Sequence, residues 1–269
     1  MVFGCITPHP PLLIPDIGQG KEQEISATIK AMQKLAKSLS AAKPDIALIV
    51  SPHGQWQYDA MGVFTGPSSQ GNMLSWGSTM RGISLPNDMD FVKSLVIECN
   101  RRNLPVTSLG TTAYSLDHGV MVPLYFLLPS LKNIPVVPLT FSALPLVTHL
   151  DFGKALQKVA TELNKRAVFI ASGDLSHRLI PGAPAGYDPA GREFDEHIVK
   201  ASESMDIKSI LDMSDEFIER AGECGLRSIV MLLGTLEEMK VKSEILSYEG
   251  PFGVGYLVAS FKVENGKND

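Results

Sequence analysis

The sequence is short of most features that assign a function by composition. Cysteine occurs three times in 269 residues, at Cys5, Cys99 and Cys224. So sparse and odd a set gives no disulfide framework. Basic residues do not dominate: 24 Lys and Arg stand against 29 Asp and Glu, with a sequence pI near 5.7. That balance argues against a nucleic-acid partner, whose footprint is basic and clustered. No apolar run approaches the roughly 20 residues of a membrane span. The first residues, MVFGCITPHPPLLIP, lack a basic start and carry prolines where the core of a signal peptide would continue. A cytoplasmic protein with no membrane partner is therefore expected. Also missing are GxGxxG, a Walker loop, HExxH and GxSxG, so nucleotide binding and serine hydrolysis have little support.

What is present is an ordinary globular composition, 44% hydrophobic and 20% charged, long enough to bury a substantial core. Short β-branched runs alternate with longer helical patterns. VFGCIT, DIALIVS, PVTSLG, IPVVPLTFS and AVFIASG read as strands, and EILSYEG with VGYLVASFKV reads as a closing hairpin. Helices are expected over 21–42, from Asp88 to about Asn100, over 118–128 with Pro123 as an irregularity, and over 151–164, 189–204 and 225–238. Nearly all-apolar strands suit a sheet covered on both faces. The expected fold is α/β, a three-layer sandwich with a largely parallel or mixed central sheet and helices on both faces, as a single domain over 1–269. Segments 66–72 and 178–188 read as loops, the second as a lid over the site. The final ENGKND is expected to fray.

Three of the six histidines follow directly on strand-like runs: His9, His53 and His177. In open α/β sheets, ligands bind outside the carboxyl ends of the strands. His9 sits in Pro8-His9-Pro10-Pro11 and His53 in Ser51-Pro52-His53-Gly54. Proline stiffens both mounts, which suits a metal ligand. His177, in Ser172-Gly173-Asp174-Leu175-Ser176-His177, reads as a ligand, a general base or a structural residue, with Asp174 either orienting it or capping the turn. His118 opens a helix behind Asp117, an N-cap by type, and a helix N-terminus favours the neutral imidazole. His149 and His197 read as surface residues. A third, anionic ligand is sought at Glu223, Cys224 or Glu249. Cys224, at the expected start of a helix, would sit where a thiolate is favoured. Trp56, Tyr58 and Tyr187 read first as core or rim packing, with pocket lining as the alternative.

The motifs PHPPLLIP, SPHG, LDHGVMVPL, SGDLSH and ECGLRS occur in that order across nearly the whole chain. In this the sequence resembles the LigB-like class III extradiol ring-cleavage dioxygenases, a superfamily that includes the Memo proteins. The resemblance implies a non-haem Fe(II) held by His9 and His53, with His177 as catalytic base and His118 contacting substrate. It implies a small catechol-type aromatic and O2 as reactants. The dioxygenases place a glutamate as third ligand, whereas the register here puts Cys224 at that position, as in Memo-type members, with Glu223 adjacent and Glu249 in reserve. A thiolate is softer and admits zinc or copper. Two main readings follow: a dioxygenase, or a Memo-like metal-binding protein without ring cleavage. A zinc hydrolase is the weaker third. A homodimer is a fair prior. The bacterial branch associated with AmmeMemoRadiSam clusters adds an AMMECR-type domain as an expected partner.

Overall fold

The computed structural model describes residues 1–79, 81–112, 114–131 and 134–264. Among them the strands are β1 (Phe3–Thr7), β2 (Ile46–Ser51), β3 (Met61–Val63), β4 (Ser68–Gly71), β5 (Ile83–Pro86), β6 (Val106–Ser108), β7 (Tyr114–Leu116), β8 (Val136–Thr140), β9 (Ala167–Ser172), β10 (Val241–Glu249) and β11 (Tyr256–Val263). The helices are α1 (Pro15–Gly18), α2 (Ser26–Ala42), α3 (Met89–Arg101), α4 (His118–Leu131), α5 (Leu146–Glu162), α6 (Ala190–Ser204), α7 (Ile207–Leu211), α8 (Asp215–Ala221) and α9 (Leu226–Leu236).

Eight strands form one mixed sheet in the order β10-β11-β1-β9-β2-β8-β3-β6. Its centre, β1-β9-β2-β8, is parallel, and β11 and β3 join it antiparallel on either side. The centre is apolar on both faces because side chains alternate along a strand. In β2, Ile46, Leu48 and Val50 enter one core, while Ala47 and Ile49 enter the other. In β9, Phe169 and Val168 divide in the same way. Helices α3, α5, α6 and α9 supply the first core, and α2 and α4 the second. The expected three-layer α/β sandwich is the observed architecture.

Some boundaries differ from the sequence reading. Residues 68–71 are not loop: they form β4, which pairs with β5 and β7 in a second, three-stranded sheet. The stretch is too short and polar to show alternation, and its pairing comes from distant partners. Helix α5 begins at Leu146, five residues before the expected 151, because Pro145 serves as its N-cap. Asp88 does cap α3, accepting the Phe91 N–H at 3.0 Å. Helix α4 runs through Pro123 and on to Leu131. The fraying expected at the C-terminus falls mostly on residues 265–269, outside the described residues.

Candidate metal centre

The strand register explains why distant histidines meet. Thr7 of β1 lies level with Ser172 of β9, and Val50 of β2 lies level with Ala171. His9 and His53 each follow two residues after the end of their strands, so they flank the carboxyl end of β9 from opposite sides. Their Nε2 atoms approach to 3.0 Å.

The hydrogen bonds of His9 fix its tautomer. Its Nδ1 lies 2.9 Å from Ser172 Oγ. The single hydroxyl proton of Ser172 is donated to the Gly119 carbonyl. Ser172 Oγ therefore accepts from His9 Nδ1–H, and His9 Nε2 carries the bare lone pair. Two imidazole nitrogens at 3.0 Å cannot both be bare unless a cation lies between them; without one, His53 Nε2–H donates to His9. Burial pushes His9 well below the ordinary imidazole range, helped by the charges His53, His118 and His177 would carry. Burial also lowers His53, His118 and His177. All four rings are thus neutral at pH 7, the form that ligates or accepts a proton.

His53 is mounted through Ser51, whose Oγ accepts the His53 amide at 3.1 Å and donates to Asp117 Oδ1 at 2.6 Å. By residue type Asp117 is a cap for α4. Its carboxylate takes the Ser51 hydroxyl instead and ties the mount of His53 to the start of α4. The His118 ring packs on His53 with centroids 4.2 Å apart, and lies 5.5 Å from His9.

Cys224 arrives on the turn that precedes α9. The turn before α9 crosses the turn after β9 so closely that an added Cβ on Gly173 would collide with Gly225 Cα. Two glycines at the crossing allow this approach. It lets the Asp174 amide donate to Cys224 Sγ at 3.3 Å and brings Sγ to 3.6 Å from His9 Nε2. Gly173→Ala is expected to destabilise the protein by about 1–3 kcal/mol or more, as overpacking against backbone does, and to displace Cys224. Urea unfolding together with metal content checks both effects. The thiolate expected at position 224 is not favoured by the protein alone. Helix α9 starts two residues later, at Leu226, and burial, with Asp174 and Glu223, pushes the thiol well above its ordinary value. A bound cation would supply the charge that releases this proton.

His9, His53 and Cys224 offer ligand atoms that all lie within 4.8 Å of one another. Metal–nitrogen bonds of ~2.0–2.1 Å and a metal–sulfur bond of ~2.3 Å span ligand separations of about 2.9–3.6 Å at angles from right to tetrahedral. The separations of 3.0 and 3.6 Å from His9 fall in that range, and the wider His53–Cys224 gap, within 4.8 Å, would have to close for one ion to bind all three. Two neutral imidazoles and a thiol fit a soft or borderline divalent ion.

Other expected residues are placed differently. Glu223 is adjacent in sequence but does not join the cluster: its carboxylate accepts the Leu226 N–H at 2.6 Å, and Arg227 lies 3.9 Å away. It caps α9. Glu249 accepts the Thr28 N–H and hydroxyl, both at 2.7 Å, far from the histidines in role and partners. Asp174 does not orient His177. It accepts the His9 amide at 2.9 Å, and burial pushes its carboxyl up to about 7. Its Oδ2 lies 3.9 Å from His9 Nε2, but the shifts of both groups make this a neutral contact rather than an ion pair. His177 is oriented by backbone: its Nδ1 lies 3.1 Å from the Gly222 carbonyl, which can only accept, so Nε2 is left as the basic nitrogen.

His149 is fully buried rather than at the surface, its Nε2 accepting the Ser142 N–H and its Nδ1 donating to the Pro145 carbonyl. It braces the start of α5, and burial lowers it to about 4. His197 is half-buried and bonded to the Ser209 carbonyl. Segment 178–188 does not hang free as a lid. Leu179 N–H bonds Gly253, Ala185 N–H bonds His177, and Arg220 grips Asp188 through two nitrogens. Trp56 and Tyr58 pack on each other at 4.6 Å, and Tyr187 is exposed. The aromatic at the centre is one that the sequence does not single out: Trp76, 4.9 Å from His118. It sits in a polar stretch, with no strand end or periodicity to mark it.

Comparison with known proteins agrees with this architecture. Protein CA_C1420 of Clostridium acetobutylicum is 36% identical over 98% of the chain, and a MEMO1 family protein of Methanococcus vannielii is 30% identical over 69%. The chain spans about 58% and 64% of the length of these relatives. The 2-aminophenol 1,6-dioxygenase beta subunit of a Pseudomonas species is 22% identical over 98% of the chain and 94% of its own length. The crystal structure of the uncharacterised protein JW3007 from Escherichia coli K12 shares the fold, with a TM-score of 0.67, 19% identity, and coverage of 97% of this chain and 100% of that one. Among the described residues, no helix is long and apolar enough to cross a membrane. Residues 4–259 match the family described as the catalytic LigB subunit of aromatic ring-opening dioxygenase, and the chain belongs to that family.

Proposed function

We propose that this chain is a non-haem Fe(II)-dependent, extradiol dioxygenase-like enzyme that opens a catechol-type ring with O2. The observation that carries the reading is the meeting of His9 and His53 Nε2 at 3.0 Å, with His177 near enough to interact electrostatically with both and bonded to Gly222 through Nδ1, which makes Nε2 its basic nitrogen. His9, His53 and Cys224 would hold the iron, which when bound supplies a Lewis-acidic, redox-active centre for a diol and O2. The remaining work falls to side chains. His177 Nε2 removes a hydroxyl proton from the diol, and its Nδ1–H stays on the Gly222 carbonyl. His118, held against His53, offers a hydrogen bond to the reacting oxygens. Similarity to the aminophenol dioxygenase chain over nearly the full length of both supports a reaction of this type. In the product both atoms of O2 are incorporated and the carbon–carbon bond beside the diol is broken.

One observation favours a second reading. The Cys224 thiol lies beside His9 and His53, while the Glu223 carboxylate is engaged by the Leu226 amide. A thiolate alters the electronics of iron and admits zinc or copper, which fits a Memo-like metal-binding protein without ring cleavage. Anaerobic purification with metal analysis, then O2 uptake across a panel of catechols and aminophenols, separates the two. Stoichiometric iron with O2 consumed mole for mole with a diol is the expected result. Bound metal with no O2 uptake on any member of the panel overturns the dioxygenase reading in favour of the second.

A further inference from the structure

Trp76 stands at the outer end of a row of rings that leads from the candidate metal centre. Its centroid is 4.9 Å from His118, tilted by 53°, and His118 in turn packs 4.2 Å from His53. The indole is 46% exposed, so much of its surface remains open beside that row. It is one of only two tryptophans in the chain.

The backbone that carries this ring is well anchored. Trp76 ends a 3-10 turn over Leu74–Trp76, between β4 and β5. Asn72 Oδ1 accepts the Leu74 N–H at 3.0 Å, and the turn closes on Gly77 with φ of 81°, a conformation that favours glycine. Just beyond, the Ser78 hydroxyl and the Thr79 amide and hydroxyl all donate to Asp16 Oδ2, at 2.8, 2.6 and 3.2 Å. Asp16 belongs to α1, a few residues after His9. The strap that carries Trp76 is thus latched to the chain segment that mounts His9. A mount fixed in this way limits the ordering that remains when the indole meets a ligand.

We propose that Trp76 is the ring-recognising wall of the substrate site, packing against the apolar body of a planar aromatic whose adjacent polar substituents face His9, His53 and His177. This assignment rests on the ring-cleavage reading above and deepens it: it makes the site selective for flat aromatic diols or aminophenols over aliphatic chelators of similar polarity. Aromatic rings prefer offset or edge-to-face contact at about 4.5–7 Å, and such pairs carry a preference beyond area alone. A merely structural role, shielding His118, would not discriminate between ring-bearing and ringless ligands.

The test uses metal-loaded protein without O2 and two chelating probes, nitrocatechol, read by its visible band, and acetohydroxamate, which has no ring. Wild type, Trp76→Ala and Trp76→Phe are compared, with metal content measured in each. Trp76→Ala is expected to weaken nitrocatechol binding about three- to tenfold, as loss of one aromatic contact does. Trp76→Phe should retain most of the affinity, and acetohydroxamate binding should be the same in all three proteins. Unchanged nitrocatechol binding in Trp76→Ala, an equal loss for both probes, or loss of metal from this variant overturns the assignment alone. Metal-loaded wild type that does not bind nitrocatechol overturns the diol reading itself, and the assignment with it.

Discussion

Alanine at His9 or at His53 is expected to leave a folded protein that no longer holds stoichiometric metal. Each side chain contributes one of the two nitrogens that meet at 3.0 Å. Loss of either leaves one imidazole and a buried thiol whose proton is strongly held. Even removing an outer partner of a metal-bound histidine costs 10–100-fold in affinity, so losing the ligand itself should cost more than about 100-fold. His9 is the harsher of the two sites, being 2% exposed and bonded through Ser172 to the start of α4. Metal analysis after dialysis, with circular dichroism to confirm the fold, checks both variants. Full metal content in both would remove these histidines from the ligand set.

His177→Ala is expected to keep its metal and lose turnover by about 10²–10⁴-fold, the usual contribution of a positioned acid–base group. The pH profile gives a second readout. Burial lowers the folded pKa of His177 below 6.5, against the opposing bonds to Gly222 and Leu175. The ring is therefore neutral at pH 7. Activity of the wild type should fall only as pH drops through that lowered value, when the ring gains a proton and can no longer accept one. Alanine abolishes this acid limb in whatever residual activity is measured. If His177→Ala loses the metal instead, His177 is a ligand and not the base.

Much of the fold is legible in the sequence because its signals are local. The all-apolar runs of β2 and β9 predict burial on both faces, and the two cores divide their side chains residue by residue. The strand–Pro–His pattern marks His9 and His53, because a parallel sheet gathers its carboxyl ends at one edge. Polar segments are less legible. The strand at 68–71 has no periodicity of its own and exists through pairing with β5 and β7. His149, which falls within a helix, gives no sign in its spacing that both ring nitrogens are spoken for by the turn before α5.

The sequence by itself determined the layer architecture, the sheet edge at which the candidate site lies, and the two strand-end histidines, His9 and His53, that meet there. Composition and periodicity act over a few residues and carry that much. Only the tertiary structure set Cys224 and Glu223 apart, since neighbouring residues on one turn point in different directions: one toward His9, the other back onto the Leu226 amide. It alone moved Asp174 from His177 to His9, and Asp117 from the helix end to Ser51. It alone brought Trp76 over His118. Each of these depends on the direction of a side chain across a crossing or a register, here the close pass of Gly173 and Gly225 and the alignment of Thr7 with Ser172. Such directions arise from contacts between distant segments.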